Sequence, residues 1–329
     1  MIISRTPVRI PLGGGGTDLP AYYEQFESLI LTAAVNRFVF IVVKKHFEET
    51  VRFTGYHRKE VVKTREEIQH PVVREALELL KIAPGIEIVS ISDVPANTGL
   101  GTSSSFTVGL LNALHAYKGE HPTPETLARE ALTIERIILK EPGGLQDQYV
   151  AAYGGLLSLG ISTKGKVAVH ALKVDPHVVS ELENRLVFFY TNFSRTASEI
   201  QAGHAQAISS GNGQALESLH EIKRIGLKTK TAFEAGDLDG FGRLLHAHWD
   251  SKKKLGGNIS NGSIDRWYQI AMEAGALGGK LMGAGGGGFL MLYCHPEAKH
   301  RIRALLAKES LKEIAFRFEA TGSRIILNI

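Results

Sequence analysis

Apolar residues fall in short blocks along the chain, and their spacing separates strands from helices. Residues 1–10 read as a strand that enters a run of four glycines at 13–16. Residues 33–44 carry Val35, Phe38, Val39, Phe40, Ile41, Val42 and Val43, the pattern of a largely buried strand. Ile86–Ser92, 156–159, Val167–Ala171, Leu186–Tyr190, Phe289–Cys294 and 325–327 give further strand signals. Helical spacing appears at 71–81, and after a small-residue loop at 95–105, where Phe106, Leu110, Leu111, Leu114 and Tyr117 recur. A helix over 123–139 should open on Thr123 as N-cap with Pro124 behind it, and bury Leu127, Ala131, Ile134 and Ile138. Pro142, Gly143 and Gly144 should end it. Residues 196–255 read as helical, with breaks near 209–213 and 236–240, and helices follow at 264–274 and Pro296–Lys308. Gly55, Tyr56 and His57 read as a turn. Strands and helices interleave without regular alternation, which favours an α+β fold over a doubly wound parallel sheet.

Composition changes this picture little, except at one residue type. Hydrophobic residues are 43% and charged residues 22% of 329, so the chain can bury a core and is neither disordered nor collagen-like. The length fits two domains, with a boundary near Glu183 that would give units of 1–183 and 184–329. A single cysteine, Cys294, lies in an apolar run and excludes a disulfide-stapled fold. It fits a buried thiol in a reducing cytoplasm. No apolar signal region or membrane-spanning stretch is evident. The net charge of +4 suits small anionic substrates and is spread along the chain, so no nucleic-acid partner is expected. Lys252, Lys253 and Lys254 read as a solvated helix end. His246, His248 and Asp250 are poor metal ligands, since positions two apart point to different sides of a helix. The informative number is 35 glycines, many of them clustered.

The loop Gly99-Leu100-Gly101-Thr102-Ser103-Ser104 feeds a helix N-terminus, where unpaired N–H groups and the macrodipole favour an anion such as a phosphate. It is not a Walker loop, because no Lys follows Gly101, and it lacks the third glycine of a dinucleotide fingerprint. Ser103 can offer a hydroxyl to a magnesium ion. Glu135 and Asp147 stand twelve positions apart, one on a helix and one past its terminating loop. They can line one cleft, one holding a metal and the other accepting a proton. Simpler readings are an exposed Glu and an Asp that caps a turn. Gly14, Gly15, Gly16, Thr17 and Asp18 allow close ligand approach, with Asp18 able to receive hydroxyl hydrogen bonds, or else form a capped glycine turn. Four more glycines, 285–288, precede a buried strand and mark a backbone that must approach another loop or a ligand.

In this order the four segments resemble the GHMP kinase superfamily over essentially the whole chain. Its second and third motifs look like residues 95–105 and 280–289, and the Glu135–Asp147 spacing is similar to that of the metal-ligand Glu and catalytic Asp of galactokinases. Galactokinases have Gly-Glu-His-Thr-Asp where this chain has Gly14-Gly15-Gly16-Thr17-Asp18, which counts against galactose. That form, together with Asn192-Phe193-Ser194-Arg195 and residues 278–289, resembles the heptose phosphate kinase branch. The resemblance implies a two-domain fold: an N-terminal α+β unit with a left-handed β-α-β-type nucleotide site, and a ferredoxin-like C-terminal unit. It implies ATP and Mg²⁺ and a sugar phosphate as acceptor, and it allows a homodimer. Asp147 would be the general base and Arg9 its counter-charge; residues 99–104 would hold the ATP phosphates; Ser103 and Glu135 would hold the metal. Residues 14–18, Gly285, Gly286 and Arg195 would contact the sugar, with Arg195 on its phosphate. A kinase for free heptose, fucose or a galactose-like sugar and a non-catalytic sugar sensor are the nearest alternatives, with a dehydrogenase or a metal hydrolase beyond them.

Overall fold

The computed structural model describes residues 1–56, 58–193, 202–203, 213–256 and 259–329. Two sheets organise the described residues. The first holds β1 (Ile2–Gly13), β2 (Ser28–Lys45), β3 (Val51–Gly55), β4 (Arg58–Val62), β5 (Ile86–Ser92), β6 (Leu156–Ile161) and β7 (Val167–Ala171). The second holds β8 (Leu186–Tyr190), β9 (Ala276–Leu281), β10 (Phe289–Cys294) and β11 (Lys312–Glu313). The last strand, β12 (Arg324–Asn328), returns to the first sheet and pairs antiparallel with β1. The expected boundary near Glu183 falls inside the helix Pro176–Arg185, and the segment after it returns β12 to the first sheet.

The first sheet runs β12-β1-β2-β5-β3-β4, with β6 and β7 attached to β2. Strand β2 extends well beyond the expected 33–44. It pairs with β1 along its length, with β6 through residues 28–33 and with β5 through residues 39–45. Strands β3 and β4 pair antiparallel, with Gly55 opposite Arg58, and β4 is a polar, largely exposed edge with little sequence signal. His57 of the turn expected at 55–57 lies outside the described residues. The second sheet runs β11-β8-β10-β9, all antiparallel. Among the described residues, three helices lie between β8 and β9: α7 (Gly213–Ala235), α8 (Leu238–Lys253) and α9 (Gly262–Glu273). A fourth, α10 (Pro296–Lys308), connects β10 to β11. This is the split β-α-β arrangement of a ferredoxin-like unit.

The first half holds α1 (Pro20–Phe26), α2 (Pro71–Leu79), α3 (Thr102–Tyr117), α4 (Pro124–Leu132), α5 (Gln146–Tyr153) and α6 (Pro176–Arg185). Helix α3 is buried on nearly every side. Ser105 Oγ donates to the Pro7 carbonyl and Ser4 Oγ to the Gly109 carbonyl, both at 2.8 Å, which bolts α3 onto β1. Thr123 caps α4 by accepting from the Thr126 N–H, as expected. The 123–139 helix is not continuous, however. Residues Thr133–Ile138 form a π-helical turn. This wide turn shifts the helical phase, so Ile138 is 43% exposed while Glu135 faces inward at 1%. One apolar core joins both sheets: Val8, Ile10 and Leu110 belong to the same cluster as Phe188, Met291 and Tyr293. Cys294 is buried. No described helix is long and apolar enough to cross a membrane.

The α3–β1 contact sets the floor of everything above it. A Cβ on Gly109 would lie 2.6 Å from Thr6 Oγ1. Gly109→Val should destabilise the fold by on the order of 1–3 kcal/mol through overpacking, read as a lower urea midpoint with an unchanged slope.

Candidate active site

Arg9 sits on β1 opposite Ala34, and its backbone N–H donates to the Leu100 carbonyl at 2.9 Å. That bond brings the 99–101 loop alongside the strand. The Arg9 side chain then donates from Nε and Nη2 to the two carboxylate oxygens of Asp147, each at 2.7 Å, and from Nη1 to the Gly99 carbonyl at 2.5 Å. This is the bidentate fork that a guanidinium makes with a carboxylate. Asp147 lies in the first turn of α5, and 21% of its side chain remains exposed. Gly101 makes room for the pair. It is left-handed at φ 73°, and a Cβ there would lie 3.1–3.3 Å from Asp147 Oδ2 and Cγ and from Arg9 Cγ.

Asp18 sets where α5 begins. Its Oδ2 accepts from the Leu145 N–H, the Gln146 N–H and Gln146 Nε2 at 3.1–3.3 Å, and its Oδ1 accepts from the Gly16 N–H. Gly144 lacks the side chain that would collide with this carboxylate. Burial, and then the charge of Asp147, raises the Asp18 pKa. Its donors therefore offset a real desolvation penalty. Asp18 borders the cavity, but most of its hydrogen-bonding capacity is engaged by protein.

On another wall, α3 starts at Thr102, so Thr102, Ser103 and Ser104 are its first turn and their N–H groups lack helical partners. Glu135 Oε2 accepts from Ser104 Oγ at 3.0 Å and from Gln148 Nε2 at 2.5 Å, while Oε1 is buried without a partner among the described residues. Desolvation raises the Glu135 pKa against the lowering effect of Arg136. The serine bonded to Glu135 is thus Ser104; Ser103 lines the same cavity from the exposed side of the turn. Arg136, which the sequence reading passes over, holds the loop after the π turn by donating to the Glu141 and Gly144 carbonyls.

These groups border one cavity of about 360 Å³. Arg9, Asp18, Glu135, Asp147, Gly15, Gly16, Gly99, Gly101, Thr102, Ser103 and Ser104 all reach it. Several expected contacts do not. Leu100 points into the core at 0% exposure. Gly14 packs against the Leu29 carbonyl and Gly226, and Thr17 donates to the Gly14 carbonyl beneath the wall. Gly285 and Gly286 pack on Ile259, with the Gly286 N–H donating to its carbonyl. The second glycine run thus serves loop-to-loop approach, and Gly283 and Ala284, not Gly285 and Gly286, face the cavity. Arg195 lies outside the described residues.

The second half of the chain supplies basic groups instead. Lys252, expected at a solvated helix end, is 7% exposed and donates to the Leu281 and Gly283 carbonyls at 3.1 and 2.6 Å. Burial brings its pKa down to about 7. Its neighbour in the helical stripe, His248, and Lys280 of β9 are also buried and border the cavity. His246 turns the other way and stacks on Tyr268.

A helix N-terminus, an inward carboxylate and a fork-held aspartate border one cavity, a set that suits phosphoryl transfer. Residues 67–155 match the GHMP kinases N terminal domain and residues 229–312 the GHMP kinases C terminal domain. A Campylobacter jejuni D-glycero-alpha-D-manno-heptose 7-phosphate kinase is 30% identical, with 98% of this chain and 97% of that protein covered. The crystal structure of a D-glycero-D-manno-heptose 1-phosphate kinase from Bacteroides thetaiotaomicron superposes with TM-score 0.82 at 26% identity, covering all of both chains. A putative sugar kinase from Campylobacter jejuni gives 0.79 at 28%, covering 98% of this chain and 97% of that one. The chain belongs to the GHMP kinase family, whose members use ATP, and it is a kinase.

Gly101→Ala should keep the fold and lower kcat by roughly 10²-fold, the scale of a misplaced catalytic group, because the new Cβ pushes on the Arg9–Asp147 fork. Steady-state kinetics beside a circular dichroism spectrum checks this.

Proposed function

We propose that this is a cytoplasmic, ATP-dependent sugar kinase. It phosphorylates the anomeric hydroxyl of D-glycero-D-manno-heptose 7-phosphate to the 1,7-bisphosphate, a step toward nucleotide-activated heptose for capsule or lipopolysaccharide. The observation that carries the kinase chemistry is the Arg9–Asp147 fork opening on the same cavity as the α3 N-terminus and Glu135. The heptose phosphate assignment draws on the names of the two relatives above.

Phosphoryl transfer depends on positioning and charge stabilisation. The backbone N–H groups of residues 101–104 would hold the nucleotide phosphates, helped by the helix dipole. Asp147 would accept the proton of the anomeric hydroxyl through carboxylate lone pairs that Arg9 leaves free. Arg9 would fix the direction of that carboxylate and offer positive charge to the phosphoryl oxygens. The residues present fit a divalent cation: Glu135 Oε1 and Thr102 Oγ1 are buried without partners among the described residues, and Ser103 adds a hydroxyl. Glu135 and Ser103 would hold Mg²⁺, which when bound neutralises charge on the phosphates. Among the described residues no group of three or more His, Cys, Asp or Glu is placed to hold a metal ion, so a cation here would need phosphate oxygens and water to complete its shell. Asp18 and the Gly15–Gly16 backbone would meet the sugar hydroxyls.

Asp147→Asn should leave the fold and ATP binding intact and lower kcat by roughly 10²–10⁴-fold, the contribution of a general base. Turnover near wild type would remove Asp147 from the chemistry. A panel of heptose 7-phosphate, free heptose, fucose and galactose, with NMR of the product, tests acceptor and position together. Phosphate appearing anywhere but the anomeric carbon would overturn the assignment.

A further inference from the structure

Three basic side chains in the cavity have no counter-charge. Lys252 binds two backbone carbonyls and has no ion-pair partner among the described residues. Lys280 is 2% exposed, and neither a hydrogen bond nor an ion pair engages its ammonium there. His248 is 1% exposed, and its Nδ1 is buried without a partner. All three border the cavity. Arg9, the nearest other cation, is already committed to Asp147 and Gly99. Buried charge without a partner is costly, and folds generally pair it. Three such groups converging on one cavity from α8 and β9 point to an anion that arrives with a ligand.

The nucleotide phosphates have donors of their own at the α3 N-terminus, where Ser103 and Ser104 lie with Glu135 and its neighbours Gln148 and Thr107. The basic group meets Arg9, Leu281 and Gly283, and Gly283 packs on Gly99, so it adjoins that loop. It also borders the cavity with Asp147, so an acceptor whose hydroxyl lies at Asp147 shares a cavity with these cationic groups, and the test must separate the two anions.

Resting on the sugar-kinase reading above, we infer that His248, Lys252 and Lys280 form the receptor for a phosphate that the acceptor already carries, which makes a phosphorylated sugar the preferred acceptor. A proton linkage follows. Burial, with Arg9 adding to it, lowers the pKa of Lys252 to about 7; burial and the neighbouring lysine charges depress Lys280 and His248. The charged groups facing them are Arg9 of β1 and, through it, Asp147 of α5; Asp18, Glu135, Arg136 and Glu141 border the same cavity. An entering anion favours the charged forms, so it binds with proton uptake, and its affinity falls as pH rises above about 7.

The test compares wild type with Lys280→Met and Lys252→Met. Wild type should prefer heptose 7-phosphate to free heptose. Lys280→Met should raise KM for the phosphorylated acceptor tenfold or more, leave KM for ATP within about twofold, and spare turnover of the free sugar. Loss of turnover with both sugars, or an equal rise in KM for ATP, overturns the inference and gives the lysines to the transferred phosphoryl group. A second readout needs no activity. Inorganic sulfate, whose charge is fixed near neutrality, is titrated into the nucleotide-free protein at pH 8 in buffers of different ionisation heat. Proton uptake in wild type that is lost in both variants supports the receptor; no uptake, or uptake that survives in both, overturns it. Failure of wild type to phosphorylate any sugar would instead overturn the kinase reading, and the sulfate titration would still judge the anion site.

Discussion

The arrangement of the cavity depends on the fork between Arg9 and Asp147. Arg9 is fixed before it pairs: β1 is hydrogen-bonded on both sides, and the Arg9 N–H holds the Leu100 carbonyl. Its guanidinium then spans Gly99 and Asp147, so residues 9, 99 and 147 meet at one side chain. A Lys there could not reproduce two parallel N–H···O bonds with a third to a carbonyl. The Arg9 side chain is only 7% exposed, and the fork supplies its counter-charge. Gly101 is the geometric condition for it, since any larger residue would occupy the volume of the two side chains.

Asp147 in turn inherits its position from a residue far away in sequence. Helix α5 has Leu145 at its N-cap and no side-chain cap of its own. The cap comes from Asp18, whose carboxylate takes the Leu145 and Gln146 N–H groups. The chain of dependence runs from the glycine turn at 14–16, through Asp18, to the start of α5 and the direction of Asp147. This explains why Asp18 can border the cavity and still be largely spent on protein: a carboxylate at a helix N-terminus is favoured by the dipole, and here it also locates the side chain of the next residue, Asp147.

What the sequence disclosed and what it hid follow from the range of the interactions. Thr123's cap, the α3 stripe and the β10 run are local patterns, and they appear in the structure where the spacing puts them. The α5 helix was invisible because its cap lies 127 positions upstream. The π turn was invisible because one extra residue in a helical turn leaves no compositional mark, yet it moved Ile138 out and Glu135 in. Lys252 was misread for a different reason. Three consecutive lysines suggest solvent, but successive residues on a helix point in different directions, so one of the three had to follow the stripe of Leu238, Phe241, Leu245 and Trp249 inward. That phase was present in the sequence and would have singled out His248 as well. The glycines at 285–288 marked a close approach correctly, but pattern alone does not distinguish a loop from a ligand as the thing approached.

The empty cavity is electrostatically unfavourable on both sides. On one wall, burial raises the pKa of Asp18 and Glu135, each a carboxylate disfavoured in its charged form. On the other, burial lowers those of Lys252, Lys280 and His248. Glu135 has Arg136 Nη2 at 3.6 Å, and Asp18 is held by backbone N–H groups and Gln146. Lys252, Lys280 and His248 have no ion-pair partner among the described residues, so the cationic wall is the less compensated of the two. A cation beside Glu135 and anions beside the basic groups would relieve each wall separately. Ligands that bind the native state in this way also stabilise it, by an amount set by their concentration relative to Kd. The same unpaired groups that weaken the free enzyme thus give the bound complex its charge complementarity.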